Sequence, residues 1–249
     1  MTDTQSLYNA TANRWQRKEP NSLSDYTARP RVFDLCGDVR GMQVIDLGAG
    51  EGYCAREIAL RGAARITGIE LSEKMVALAK QQQADDDIIQ YHVGDVTALA
   101  EPDHHYDLAL GVFVYNYLTI EQTQASFAQV YKLLKPGGHF VFSVPHPSFP
   151  FIRQAQSRPF YFDTAGAGYF SSRDQLCSGE IWCRDGTSLN VQMIPKSLAD
   201  YFSALAAAGF SSLPEVEELG VDEEMIALDS EFFSPLRDIP LHLAFKIKK

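Results

Sequence analysis

From Met42 to Pro145 the chain alternates short apolar runs with stretches whose apolar residues recur at helical spacing. "MQVIDLG" (42–48), "ARITGIEL" (64–71), "IIQYHVGDV" (88–96), "YDLALGVFVY" (106–115) and "HFVFSVP" (139–145) are β-rich and bounded by glycine, proline or acidic residues, so they are expected to be buried strands. Between them, "YCAREIALRG" has a helical pattern ending at Gly62. "SEKMVALAKQQQ" begins on Ser72, a natural N-cap, and "EQTQASFAQVYKLLKPGG" is a helix expected to close at Pro-Gly-Gly. Strand and helix in strict alternation predict an α/β fold, a mostly parallel sheet with crossover helices on both faces. Ligands of such sheets sit beyond the carboxyl ends of the strands.

The carboxyl end of the first strand carries "VIDLGAGEG". Its glycines Gly48, Gly50 and Gly52 are spaced G-x-G-x-G, not the G-x-G-x-x-G of dinucleotide sites, and no Gly-Lys-Ser/Thr follows as in a P-loop. Asp46 just before the turn would repel a pyrophosphate but suits an ammonium or a sulfonium. Glu70, 24 residues further on, ends the second strand, where an acid accepts hydrogen bonds from ribose hydroxyls. Asp95 is expected at the end of the third strand, able to accept from an adenine amino group. The ligand implied has a ribose, an adenine and a positive charge, with a carboxylate as its only anion.

In this order, "VIDLGAGEG", "GIELSEKMVALA", "GDV", "YDLALGVFVYNYL" and "KLLKPGGHFVFSV" resemble the successive motifs of class I S-adenosylmethionine-dependent methyltransferases of small-molecule type, over about 42–144. The resemblance implies a Rossmann-like seven-stranded sheet whose last strand is antiparallel, a place that "PLHLAFKIK" (240–248) fits. It implies S-adenosylmethionine as cofactor, with Gly48, Ala49 and Gly50 against its methionine part. Glu70 would bind the ribose, with Leu71 and Met75 beside it. Asp95 and Val96 would frame the adenine, and Gly111, Val112 and Phe113 would line the floor near the sulfonium. "LYNATANRW" resembles the lid helix of small-molecule members, with Tyr8 and Trp15 as lid contacts or as plain helix packing.

Methyl transfer is an in-line displacement that needs a placed nucleophile, excluded water and a base only if the nucleophile arrives protonated. Acceptor-side candidates follow the fourth and fifth strands: Tyr115, Asn116 and Tyr117 in "VYNY", and Ser143, His146 and Phe149 in "SVPHPSF". The S-x-x-H-P pattern resembles a subgroup of bacterial small-molecule methyltransferases. His146 is the expected base or substrate hydrogen-bond partner, unless it only fixes the Pro145–Pro147 turn; Tyr115 and Tyr117 are the other catalytic candidates. No Asn/Asp-Pro-Pro-Tyr/Phe follows the fourth strand and no Pro-Cys pair occurs, so adenine-N6, glutamine-amide and pyrimidine-C5 methylation are not expected.

The chain reads as one domain: lid helices (1–40), cofactor core (41–144), an aromatic cap insertion (145–194) and a C-terminal helix and strands (195–249). The cap holds Phe149, Phe151, Phe160, Tyr161, Phe162, Tyr169, Phe170 and Trp182, with a hairpin expected around Asp185-Gly186. Such rings build a mini-core and can wall an apolar pocket. "KSLADYFSALAAAGF" is expected to be a helix, whereas Pro214–Ser234, with eight acids and no Lys or Arg, reads as a solvated loop. The net charge of -10 argues against a broad nucleic-acid surface. No secretory leader or long apolar run is seen, which with four dispersed cysteines (36, 54, 177, 183) points to a cytoplasmic protein with reduced thiols and no metal site. Monomer and homodimer are both open. The rival readings are a NAD-dependent oxidoreductase on a related fold and a non-catalytic S-adenosylmethionine-binding protein.

Overall fold

The structure is a computed structural model that describes residues 3–15, 19–83 and 87–249; residues 1, 2 and 16–18 of the expected lid segment lie outside the described residues. Helices α1 (Asp3–Thr11), α2 (Leu23–Thr27) and α3 (Arg29–Cys36) precede β1 (Gln43–Leu47). The core continues through α4 (Tyr53–Leu60), β2 (Arg65–Glu70), α5 (Glu73–Gln82), β3 (Ile89–Val93), β4 (Tyr106–Val112), α6 (Ile120–Leu133) and β5 (Leu134–Pro145). Then come α7 (Phe149–Ile152), β6 (Phe160–Asp163), β7 (Cys177–Trp182), β8 (Ser188–Met193) and α8 (Leu198–Ala208). The chain closes with β9 (Glu215–Leu219), α9 (Glu223–Leu228), α10 (Ser230–Phe233) and β10 (His242–Lys248).

Seven strands form one sheet in the order β3-β2-β1-β4-β5-β10-β9. β1 lies parallel to β2 and β4, with Val44 opposite Ile66 on one side and Leu108 on the other. β10 inserts antiparallel between β5 and β9 and is the one reversed strand, so the α/β expectation and the place of the last strand both hold. Side chains alternate across the sheet with the strand period of two. Val44, Ile66, Leu108 and Val141 pack under α3, α4 and α5 through Val32, Ile58 and Val76. Ile45, Leu47, Ala109, Phe140, Phe142 and Phe245 face α6 and α8 through Phe127, Val130, Tyr201 and Leu205. Ser72 caps α5 by accepting the Met75 N–H at 3.2 Å, as its sequence position predicts.

Two local expectations are corrected. The helix before β5 stops at Leu133, ahead of the Pro-Gly-Gly: Lys135, the residue before Pro136, is disfavoured in helical geometry, and Leu134 before it is already extended. Leu134 then pairs with Tyr106, and the register slips before His139 meets Leu108. The acidic stretch 214–234 is solvated, most of its acids being exposed, but it is not a loop. It contains the edge strand β9 and the short helices α9 and α10, and some of its acids are engaged: Glu217 holds Arg31 in a two-pronged pair (2.6 and 2.9 Å), Asp222 caps α9, and Asp229 caps α10 while pairing with Arg184.

The cap is a separate three-stranded antiparallel sheet, β6-β7-β8, turning at Gly186 as the hairpin expectation has it. Phe160, Phe162, Val191 and Met193 from it bury against Leu23 of α2, Phe149 of α7 and Phe233 of α10. The cap is thus pinned to both the N-terminal helices and the C-terminal segment, over the carboxyl ends of the strands.

The α6 side of the sheet centres on Phe127, fully buried with its ring centroid 4.8–5.2 Å from those of Tyr115, Phe140 and Phe142. Phe127→Ala is expected to lower stability by about 3–5 kcal/mol, read as a lower urea midpoint at unchanged slope. A loss under about 1 kcal/mol would show that the cluster collapses around the gap.

Candidate functional site

The glycine turn folds back on β2. Gly48 and Ala49 donate their N–H groups to the Ile69 carbonyl at 2.8 and 3.0 Å, and Gly50 donates to Glu70 Oε2 at 3.0 Å. Glu70 Oε1 accepts from the Ser72 N–H at 2.8 Å. Burial pushes the Glu70 carboxyl up, and the N–H donors of Ser72 and Gly50 oppose that shift. Each carboxylate oxygen has a second lone pair, so both remain able to accept. Gly48 and Gly50 are glycines for different reasons. A Cβ on Gly48 would lie 2.7 Å from the Val114 Cβ, a clash inside the protein. A Cβ on Gly50 would meet nothing within 4 Å, yet its φ of +57° disfavours any side chain and its open side belongs to the cavity beyond.

That cavity, about 230 Å³, runs from the glycine turn to the cap. At one end it is lined by Gly48, Ala49, Gly50, Glu70, Leu71, Met75, Asp95 and Val96, together with Tyr8 and Trp15 of the N-terminal segment. Tyr8 and Trp15 also pack on Ala12, Met75 and Leu78, so lid contact and helix packing are combined. The Tyr8 hydroxyl donates to that of Tyr117 at 2.5 Å, closing the turn after β4 over the cavity. Asp95 lies two residues past β3, its Oδ1 taking the N–H and hydroxyl of Thr97 at 2.8 and 2.7 Å. At the other end stand Leu23, Phe113, Phe160, Phe162, Ile181, Val191 and His242, with Val112 at the floor between. Most of the expected cofactor residues therefore line one cavity, and the cap rings Phe160 and Phe162 wall it too.

Six expected site residues are placed elsewhere, among them the buried Ser143 and Phe149, the latter packed in the cap core. Asp46 is buried behind the turn, outside the cavity lining, with Oδ2 unpartnered; burial and the nearby Glu70 push its carboxyl up to about 7. Gly111 is outside the lining too, and makes room for the Tyr115 ring, which a Cβ there would approach to 2.7 Å. Tyr115 is fully buried among Phe127, Phe140 and Phe142, a core residue with no access to the cavity. His146 uses both ring nitrogens structurally: Nδ1 accepts the Ser148 N–H at 3.1 Å, which leaves Nε2–H to donate to Glu218 at 3.0 Å. The expected base at position 146 is therefore corrected to a turn-fixing residue.

Two cavity residues have no local sequence signal. Arg29 opens α3, paired with Asp25 at 2.8 Å, its guanidinium 5.7 Å from the Phe113 ring centre and its Nε without a partner. His242 opens β10, its Nε2 3.0 Å from the Thr27 hydroxyl and its Nδ1 without a partner; burial and the positive charge of Arg29 push the ring down to about 3, so it is neutral. Phe113 sits between them at φ +57°, a left-handed conformation costing about 1–2 kcal/mol for a bulky residue. Its ring centre is 5.0 Å from that of His242. Among the described residues no cluster of His, Cys, Asp or Glu could hold a metal, the four cysteines are free and buried, and no helix is long and apolar enough to cross a membrane.

Asp46 gives a pH test. Its folded value near 7 lies above the unfolded value near 4. Between those values the unfolded chain sheds this proton first, so the contribution lowers stability as pH rises from about 4 to 7 and is flat above. Asp46→Asn is expected to flatten that slope in thermal unfolding of the ligand-free protein; an unchanged slope would remove Asp46 as its source.

A family model described as a methyltransferase domain matches residues 44–138. An uncharacterized protein of Haemophilus influenzae is 31% identical over 137 residues, covering 53% of each chain. The malonyl-[acyl-carrier protein] O-methyltransferase of Serratia marcescens is 32% identical over 113 residues, 45% of this chain and 42% of its own. The chain thus spans about half the length of the curated relatives it matches. The crystal structure of an S-adenosylmethionine dependent methyltransferase from Mesorhizobium loti superposes with a TM-score of 0.69 at 25% identity, covering 88% of this chain and 96% of that one. Together with the sheet order, these likenesses show that the chain carries a class I S-adenosylmethionine-dependent methyltransferase domain.

Proposed function

We propose that the protein transfers the methyl group of S-adenosylmethionine to a small-molecule acceptor held between Phe113 and the cap. The observation that carries this reading is the single cavity shared by the glycine turn, Glu70 and Asp95 at one end and the cap rings at the other.

The residues fit the cofactor. Glu70, already anchored by two backbone N–H groups, offers its remaining lone pairs to the ribose hydroxyls. Asp95 accepts from the adenine amino group while Val96, Leu71 and Met75 give its ring an apolar slot. Arg29, the buried cation of the lining, meets the carboxylate of the methionine end. The bound cofactor supplies an electrophilic methyl on a sulfonium, with a neutral thioether as leaving group. The chain's own work is placement and dryness. Tyr8, Trp15 and Tyr117 close the cofactor end, and Phe113, Phe160, Phe162, Ile181 and Val191 hold an apolar acceptor against the floor. Positioning of this kind supplies most of the rate advantage in a displacement whose leaving group needs no activation. Tyr117 is the one expected catalytic residue at the cavity, its hydroxyl held by Tyr8.

Calorimetry with S-adenosylhomocysteine, followed by transfer from methyl-labelled S-adenosylmethionine to a panel of small hydroxylated, amino and carbon acceptors, tests the reading. Glu70→Ala is expected to weaken S-adenosylhomocysteine binding by roughly 100-fold or more, since two hydrogen bonds to a charged group are lost. Stabilisation by NAD with none by S-adenosylhomocysteine would overturn the assignment. Tight binding without turnover on any acceptor would leave a binding protein in its place.

A further inference from the structure

The turn that carries Tyr117 is laced to the cap. Past β4 the chain makes one tight turn, Tyr115–Tyr117, before α6 begins at Ile120. The last strand of the cap, β8, packs on that turn and leads on through Lys196 to α8. Asn116 meets this segment twice: its carbonyl accepts the Ile194 N–H at 2.7 Å and its Nδ2 donates to the Gln192 carbonyl at 3.3 Å. Asp174 joins the same two segments, its Oδ1 taking the Ile120 N–H at 2.8 Å while its own N–H goes to the Pro195 carbonyl at 3.0 Å. Lys196 completes the lacing: Nζ donates to the Leu118 carbonyl at 2.5 Å and to the Ile194 carbonyl at 2.9 Å.

Lys196 is 2% exposed and, among the described residues, no other lysine is buried. An ammonium taken out of water is costly unless several groups receive it. Here two carbonyls do, and the Tyr201 ring centre lies 5.9 Å from Nζ. Burial pushes the amine down to about 7, against the pull of Asp174 and Asp200. Asp200 is itself committed to Arg173, and to Ser197 at the start of α8. Losing one proton still leaves two N–H groups for two carbonyls, so the tie holds in either form. An apolar chain of similar length would fill the same space without the desolvation penalty. What the nitrogen adds is the tie between Leu118 and Ile194.

We propose that Lys196, although outside the cavity lining, is a positioning residue for the cofactor end: it holds the turn that carries Tyr117 against the cap, so that the Tyr8–Tyr117 contact closes from a fixed base. Tyr117 and Leu118, whose carbonyl Lys196 grips, both line the cavity, and Val191 of β8 lines its far end. The closing contact at one end and the wall at the other are therefore parts of one body. A ligand that needs the closed arrangement binds more weakly as the fraction of molecules holding that arrangement falls. Freeing the turn lowers that fraction without altering any residue of the lining. The inference rests on the proposed function only in calling the Tyr8–Tyr117 end the cofactor's.

Two measurements test it. The first needs neither ligand nor variant: amide hydrogen exchange of the wild-type protein in rising, sub-denaturing urea. The N–H groups of Leu118, Ile120, Asp174 and Ile194 are expected to open together, with one free energy and one urea slope. Opening of Leu118 and Ile120 ahead of Ile194 overturns the inference. The second is a double-variant cycle read by calorimetry with S-adenosylhomocysteine. Lys196→Met and Tyr8→Phe are each expected to weaken binding by about tenfold. The pair together is expected to weaken it little more than either alone, since both act on the same closing contact. Lys196→Gln, which keeps donors on a shorter chain, replaces Lys196→Met in the cycle should the latter not fold. Losses that multiply, or an affinity unchanged by substitution at Lys196, overturn the inference and leave Lys196 a packing residue. If the wild-type protein does not bind S-adenosylhomocysteine, the methyl-transfer reading falls, and the exchange measurement decides the inference by itself.

Discussion

The site depends on one carboxylate. Glu70 accepts the Gly50 N–H with one oxygen and the Ser72 N–H with the other, and so ties the turn after β1 to the start of α5. Parallel pairing brings the ends of β1 and β2 level. It does not by itself decide how the loop leaving β1 is shaped. The carboxylate does, by matching two backbone donors that would otherwise need water. The acid that we propose binds the ribose is in this way part of the scaffold that positions the rest.

The charges around it form a balanced set in a nearly dry place. Burial and the neighbouring Glu70 raise Asp46's resistance to ionisation, while Arg29, held by Asp25, works against it. A ligand with a cationic centre and a carboxylate offers each of these groups an opposite charge. The Phe113 backbone belongs to the same economy: its unfavourable φ keeps the ring between Arg29 and His242, where the two ends of the cavity meet.

What was legible in the sequence is what is local. The strand and helix periods, the Ser72 cap, the glycine spacing and Glu70 at a strand end are set by neighbours within a few residues and are found where the pattern put them, give or take a few residues at element ends. Residues whose role depends on distant partners were misread. His146 looked catalytic because its strand end points to the site, but Glu218, 72 residues away, and the Ser148 amide claim its nitrogens. Tyr115 follows the same strand as Tyr117, yet one is turned into the α6 core and the other toward Tyr8. The acids of 214–234 do face solvent, but the ion pairs that three of them make are invisible in the sequence because their cations, Arg31, Arg184 and Arg237, are scattered along the chain. His242 carries no motif at all: its meaning comes from Thr27, 215 residues earlier.

The position of β10 bears on how the cavity is assembled during synthesis. The turn, Glu70 and Asp95 are all made before residue 100, but the strand that shields the long open side of β5 and brings His242 to the wall is made about a hundred residues after β5 ends. A growing chain can complete the cofactor end while the far wall is missing and the β5 edge is still exposed. Those two vacancies are filled by the same seven residues. The open edge, a hazard for strand-to-strand aggregation, and the half-built pocket thus disappear in one event, and a molecule needing both ends of the cavity can be held only after it.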